Sequence, residues 1–151
     1  MKYKLLLILT IASISVKAQQ ADLPNYILAS QISIMVTKLG MPVDSAASYL
    51  TVLGQFKKTQ QTATDVFYGC KEYDSVFDFQ ITESGQVKII ICDMPVSMLN
   101  TAQKAIVLMG MTATGTAAPP GFTAYATPQY AAFLNPEARK GYLGLVLVPG
   151  H

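Results

Sequence analysis

A tight turn at residues 83–85, between two apolar segments, constrains the fold of this 151-residue chain more than any other feature. The flanking segments 74–82 and 86–92 have the length and composition of β-strands, so the turn predicts a β-hairpin. A three-residue hairpin loop commonly ends in a residue with left-handed backbone angles, and Gly85 supplies that residue. We therefore expect the fold to form around this hairpin.

The loop also predicts the register of the two strands, with Thr82 opposite Gln86. Three pairs then follow on one face of the hairpin: Ile81 with Val87, Phe79 with Ile89, and Phe77 with Ile91. A slip by one residue would place Lys88 opposite Ile81, which disfavours the alternative register. The sequence thus predicts that this apolar face points into the core.

The opposite face of the hairpin is also more apolar than a fully solvated face. Beside the polar residues Asp78, Gln80 and Lys88, four apolar residues are predicted on this face: Val76, Ile90, Cys92 and Met94. Two interpretations stay open: the helical region 24–58 covers this face, or the face contacts a partner. Val76, Ile90 and Met94 are accordingly candidate binding residues.

Three segments repeat apolar residues at helical spacing, at 24–39, 44–58 and 95–110. Asp44 and Asp93 are placed to cap the second and the third of these helices. The third segment is amphipathic, so we expect its apolar side to cover the hairpin.

Two further segments, 65–70 and 142–148, have strand character. Because 142–148 is apolar on both faces, it suits the interior of a sheet, and we expect it parallel to strand 86–92 or one strand away. The predicted fold class is α+β. It comprises a mainly antiparallel sheet of about four strands (65–70, 74–82, 86–92, 142–148), packed with the three helices.

Residues 112–136 are rich in Ala, Thr, Gly and Pro and show no clear period, so we predict a long loop packed on the domain. Its aromatic residues argue against disorder. Phe122, Tyr125 and Tyr130 are candidate binding residues, because exposed aromatic rings suit recognition of sugars, peptides or another subunit. The alternative is that these rings fix the loop to the core.

The first 18 residues have the layout of a secretory signal peptide. Lys2 and Lys4 precede an apolar run at 5–16, and residues 16–18 form a small-x-small cleavage site. The run is shorter than the ~20 residues that a membrane-spanning helix needs. We expect a single mature domain at 19–151, exported to the periplasm or the extracellular space.

Export changes the charge balance of the chain. The leader holds three of the eleven basic residues and none of the nine acidic ones, which leaves eight basic against nine acidic residues and a net charge of −1. No basic patch remains for nucleic acid, and no stable membrane span is expected after cleavage. Charged residues make up only 13% of the chain, about half the usual share. Part of the surface is therefore expected to be unusually neutral or to meet a protein or a lipid.

Cys70 and Cys92 would lie in an oxidising compartment, where disulfides persist. If they lie on strands that flank a common middle strand, they are ~10 Å apart, which is two strand spacings. That separation exceeds the ~7 Å that a disulfide tolerates between Cα atoms. The sequence leaves two alternatives, one disulfide or two buried thiols.

The single histidine is the terminal His151, so catalytic triads and histidine-bound metal sites lack a held imidazole. The chain has no glycine-rich phosphate loop and no CxxC motif, and we predict neither a metal nor a cofactor. Paired carboxylates are the remaining catalytic option. A surface ion pair with Lys88 would explain Asp78, however, and helix capping would explain Asp93.

The predicted function is that of a small exported, non-enzymatic binding or assembly protein, with a protein partner or a second copy as its target. One alternative is a carrier of a small apolar ligand, held between sheet and helices beside Phe77, Phe79, Ile106 and Met109. A small carboxylate-dependent hydrolase is the third and least favoured alternative.

Overall fold

The structure is a computed structural model that describes residues 26–52, 56–115 and 118–150. The predicted signal peptide at 1–18 and the terminal His151 lie outside the described residues. Among the helices of the described part, none combines the length and the apolar character that crossing a membrane requires.

Three helices are described, close to where the apolar periodicity predicts them. They are α1, which covers residues 26–35 and continues as a 3₁₀ turn at Val36–Lys38, α2 at Val43–Val52, and α3 at Leu99–Leu108, which follows a 3₁₀ turn at Val96–Met98. Asp44 lies in the first turn of α2, where a negative charge is favourable to the helix dipole. The predicted extension of this helix to residue 58 is wrong, because a strand begins at Lys57.

Within the described residues the sheet is antiparallel and has eight strands, which corrects the predicted sheet of about four strands within the α+β class. The strands are β1 (Lys57–Gln61), β2 (Asp65–Cys70), β3 (Ser75–Ile81), β4 (Val87–Pro95), β5 (Thr112–Ala113), β6 (Thr123–Ala126), β7 (Tyr130–Arg139) and β8 (Tyr142–Pro149). Their order across the sheet is β1-β2-β3-β4-β8-β7-β6-β5. Two four-stranded meanders therefore meet where β4 pairs with β8.

The strand predicted at 142–148 is confirmed as an interior strand, but its predicted direction is wrong. β8 lies between β4 and β7 and runs antiparallel to both. α3 leads the chain towards β5 at the far edge of the sheet, and the successive reversals through β6 and β7 return β8 antiparallel to β4.

The segment 112–136, predicted as a long loop, instead supplies β5, β6 and the first part of β7. Small residues weaken the alternation of apolar and polar side chains that indicates a strand. Ala126 faces Ala131 and Ala132 faces Tyr125, for example, so neither face shows a clear apolar row in the sequence.

The turn of the central hairpin is confirmed. The N–H of Thr82 donates to the carbonyl of Gln86 at 2.9 Å, and Gly85 has a φ of 76°. Ile81 lies opposite Val87, as the turn predicts. The loop chemistry of the sequence thus fixes the start of the hairpin correctly.

The register beyond this first pair differs from the prediction, because a β-bulge adds Lys88 to β4. Phe79 consequently lies opposite Ile90 rather than Ile89, and Phe77 lies opposite Cys92 rather than Ile91. The bulge leaves Lys88 exposed and exchanges the two faces of the rest of β4. The sequence could not show this exchange, because residues 89–92 are apolar on both faces.

The core lies between the helices and one face of the sheet, which we call the inner face. One cluster of buried side chains joins the two layers. Its fully buried members include Leu28, Ile32, Leu50, Phe56, Phe77, Phe79, Ile90, Met94, Leu143, Leu145 and Leu147. Phe77 contacts two other aromatic members of this cluster: its ring lies 5.0 Å from the ring of Phe56 in an edge-to-face contact and 6.3 Å from that of Phe79.

Candidate functional site

The other side of the sheet, which we call the outer face, carries apolar side chains that the core does not use. Its central region on β4, β8 and β7 consists of Ile89, Ile91, Val146, Val148, Ala131 and Phe133, which we call the apolar patch. All six are half-buried, and none belongs to the core cluster that the helices join. Ile91 pairs with Val146, and Val146 pairs with Phe133, so three of these side chains form a continuous row.

Two grooves lie at opposite corners of the outer face. One, of about 550 Å³, is lined by Ile89, Phe133 and Val148 together with residues at the start of β4 and at the end of β8. The other, of about 640 Å³, lies near Val76 and Lys57 and reaches the turn between β2 and β3. The outer face therefore has two concave regions in addition to its apolar side chains.

Three carboxylates cross the outer face diagonally and border the apolar patch. Asp65 lies on β2, Asp78 on β3 and Asp93 on β4, and we call them the acidic stripe. Asp65 pairs with Gln80, two residues from Asp78, and Asp93 pairs with Val76, also two residues from Asp78. Diagonal neighbours of this kind are ~7–8 Å apart, near enough for their charges to interact.

Asp78 is the least compensated member of the stripe. It faces Phe67 on one side and Ile91 on the other, and its Oδ1 is buried without a hydrogen-bond partner among the described residues. Burial raises the pKa of Asp78 to about 6, with further contributions from the charges of Asp65 and Asp93. A charged carboxylate is thus held in an apolar setting that disfavours its ionisation.

The other two carboxylates have partners. Asp65 accepts hydrogen bonds from the hydroxyls of Thr62 and Thr64. Asp93 lies 3.9 Å from Nε of Arg139, measured to its Oδ2. These contacts contrast with the unsatisfied oxygen of Asp78.

Arg139 is held beside Asp93 by an aromatic ring, at the edge of the outer face where β7 ends and β8 begins. Its guanidinium carbon lies 3.8 Å from the centroid of the Tyr142 ring, which is a cation–π contact. The Tyr142 hydroxyl donates to Oδ2 of Asp74 at 2.6 Å, and this hydrogen bond together with the Asp74 charge raises the pKa of Tyr142. The positive charge of Arg139 is therefore directed to the end of the stripe and away from Asp78.

The predicted explanations of Asp78 and Asp93 are both corrected. Asp78 lies directly opposite Ile91, and the bulge at Lys88 removes the predicted diagonal ion pair between Asp78 and Lys88. Asp93 lies inside β4 rather than at the start of a helix. Both carboxylates consequently belong to the outer face.

The bulge also separates the candidate binding residues of the hairpin. Val76 is half-buried on the outer face, as predicted. Ile90 and Met94 were predicted on that same face, but both are fully buried in the core, opposite Phe79 and beside Leu143. Sequence reasoning missed Ile89 and Ile91, which take their places. The apolar character of strand 142–148 on both faces was the available signal that a second apolar surface exists.

The aromatic candidates of segment 112–136 lie apart from the apolar patch. Tyr125 and Tyr130 are half-buried and pack against the core cluster, which matches the alternative that these rings fix the segment to the core. Phe122 is half-buried in the turn before β6, where its N–H donates to the carbonyl of Pro119 at 3.0 Å. Phe133, the fourth aromatic residue of the segment and not one of the predicted binding residues, is the aromatic residue of the patch.

A second apolar surface joins α1 to α3 on the opposite side of the molecule. Tyr26, Val107 and Leu108 line it, and Val107 is 74% exposed. Among the described residues, its lining contains no carboxylate. The outer face is our candidate site because it combines an apolar patch, two grooves and an uncompensated charge.

The described residues contain no group of three or more His, Cys, Asp or Glu side chains placed to hold a metal ion. Cys70 and Cys92 are free, buried thiols on β2 and β4, with β3 between them. This arrangement is the second of the two alternatives that the sequence left open. Burial raises the pKa of the Cys92 thiol, and the neighbouring charge of Asp93 raises it further.

We expect neither cysteine to react with a thiol-specific reagent at pH 8 while the protein is folded, because both side chains are buried and the reactive thiolate of Cys92 is disfavoured as well. Unfolding in guanidinium without a reductant should release both thiols per chain. The measurement is absorbance on reaction with Ellman's reagent. Thiols that stay undetected after unfolding would show that Cys70 and Cys92 are bridged.

Comparison with known proteins adds no relative. No family model matches the chain, and no curated protein and no solved structure is detectably similar to it.

Proposed function

We propose that the chain is a small exported binding or assembly protein, non-enzymatic, and that the outer face of its sheet is the contact surface. The observation that carries this proposal is the apolar patch, whose side chains lie outside the core cluster. An antiparallel sheet that faces water on one side normally alternates apolar inward and polar outward residues. Here β4 and β8 are apolar on both faces, which is typical of a surface that another molecule covers.

The low charge content of the chain agrees with this proposal. Only 13% of the residues are charged, and the six residues of the apolar patch include none of them. Interface centres are depleted in charged residues and contain aromatic side chains, as Phe133 and Phe67 provide here. A carrier function would use the space between sheet and helices, where Phe77 and Phe79 are fully buried and in contact with each other.

The proposal can be tested by site-specific photo-crosslinking in the cells that produce the protein. A benzophenone amino acid replaces Phe133 or Val146 on the outer face, and in a matched control it replaces the exposed Ser48 on α2. We expect a discrete adduct from the outer-face positions after irradiation and none from Ser48. An adduct of twice the monomer mass would indicate assembly, and any other mass a different partner.

Two results would contradict the proposal. Equal adducts from Ser48 and from the outer face would show nonspecific capture. The absence of adducts from both Phe133 and Val146, in cells that export normal amounts of the protein, would show that the outer face stays uncovered.

A further inference from the structure

We propose that the outer face binds a short amphipathic segment of a partner protein. A lysine or arginine of this segment lies against Asp78, and the apolar side chains of the segment lie on the apolar patch. This inference rests on the proposed function and names the chemistry of the partner. It is carried by the charge distribution on the outer face and by the area of that face.

The charge argument begins with Asp78. Its Oδ1 is buried between Phe67 and Ile91 and has no hydrogen-bond partner among the described residues. Arg139 is held by Asp93 and the Tyr142 ring, and Lys88 is exposed on the bulge. Because Asp78 is only half-buried, an arriving ammonium or guanidinium group would approach its carboxylate from the solvent side and form a charge-assisted hydrogen bond, which is stronger than a neutral one.

The same charges disfavour a second copy of the chain as the occupant. Two outer faces packed against each other would bring two acidic stripes into one desolvated interface. Like charges brought together in such an interface repel each other and act against the wrong partner. A basic segment converts this repulsion into attraction.

The area of the apolar patch and the acidic stripe favours a segment over a globular partner. From β2 to β7 the patch and the stripe together span four strand spacings, ~20 Å, and along the strands they span ~13 Å from the level of Asp65 to the level of Gly69. That area is well below the ~800 Å² per partner of a standard protein–protein interface. A helix of about thirteen residues is ~20 Å long and would cover the patch and the stripe from one side to the other.

The test uses the purified protein and three synthetic fourteen-residue helical peptides with leucine on one side. The polar side carries lysine in the first peptide, glutamine in the second and glutamate in the third. Affinity is measured by fluorescence anisotropy at pH 7.5 and moderate salt. Three variants are compared with the parent protein: Asp78→Asn, Phe133→Ala, and Glu83→Gln as a control with the same charge change in the exposed hairpin loop.

We expect the lysine peptide to bind most tightly and the glutamate peptide least. Asp78→Asn should weaken binding of the lysine peptide about fivefold, as expected for loss of a charge-assisted hydrogen bond. The control Glu83→Gln should leave it unchanged. Phe133→Ala should weaken both the lysine and the glutamine peptide, because both use the apolar patch.

The other outcomes separate this inference from the proposed function. If the glutamine peptide binds as tightly as the lysine peptide, and Asp78→Asn has no effect while Phe133→Ala does, the basic partner is wrong and the binding surface stands. If Phe133→Ala changes nothing, both proposals fail for this surface. If light scattering finds a dimer that Phe133→Ala dissociates, the occupant is a second copy.

Discussion

Replacing Phe77 by alanine is expected to lower the free energy of unfolding by about 4 kcal/mol, the range typical of a buried phenylalanine. The side chain is fully buried and loses edge-to-face contact with Phe56 and stacking with Phe79. Truncation leaves a cavity in the core, and the surrounding structure relaxes only partly to fill it. Urea unfolding followed by circular dichroism measures the change.

The matched control is Phe133→Ala, which removes the same ring from the outer face of the same sheet. Because Phe133 is only half-buried and lies outside the core cluster, we expect a loss of about 1 kcal/mol. If Phe77→Ala prevents folding, Phe77→Leu provides a milder variant in the same site. Equal losses at Phe77 and Phe133 would contradict the assignment of the inner and outer faces.

Asp78→Asn is expected to stabilise the protein at pH 8 and to have almost no effect at pH 4. The pKa of Asp78 is raised from 3.8 to about 6, because burial and the charges of Asp65 and Asp93 oppose its ionisation. The folded protein therefore holds this proton more tightly than the unfolded chain, and stability falls as the pH rises from about 4 to about 6. Asparagine has the same shape and no charge, so it avoids this loss.

The pKa difference corresponds to at most ~3 kcal/mol. Solvent screening of a group that is only partly buried reduces the expected gain to roughly 1.5 kcal/mol at pH 8. The measurement is urea unfolding at both pH values, with Glu83→Gln as the control. A gain that is equal at pH 4 and pH 8 would contradict an electrostatic origin.

The substitution Asp78→Asn is expected to have opposite effects on stability and on binding. The substitution should raise stability and weaken binding of a basic segment. Residues that bind a partner commonly reduce the stability of the free protein, because their groups are satisfied only in the complex. A combined result of this kind would identify Asp78 as a binding residue rather than a structural one.

The sequence predicted the local elements whose causes are local. The turn at Gly85, the strand at 65–70 and the interior strand at 142–148 are confirmed, because turn geometry and apolar runs depend on neighbouring residues. The α+β class follows from the same patterns. The strands at 57–61 and 123–126 were missed, because polar or small residues give them no clear period.

Which side chains of β4 form the candidate site depended on the register of this strand, and one inserted residue changes that register. The alternation that separates the faces of a strand reverses when one residue is inserted, and the bulge at Lys88 inserts one. It moves Ile90 and Met94 into the core and brings Ile89 and Ile91 to the outer face. In an apolar run such as 89–92, no local preference distinguishes these arrangements.

The sequence by itself therefore determined the hairpin turn, the apolar character of the central strands and the scarcity of charge. Only the tertiary structure decided which side chains form the core and which form the apolar patch. The physical reason is that helices cover one face of the sheet, and packing against Phe77 and Phe79 selects the register of β4. That selection leaves Asp78 beside Ile91 on the outer face.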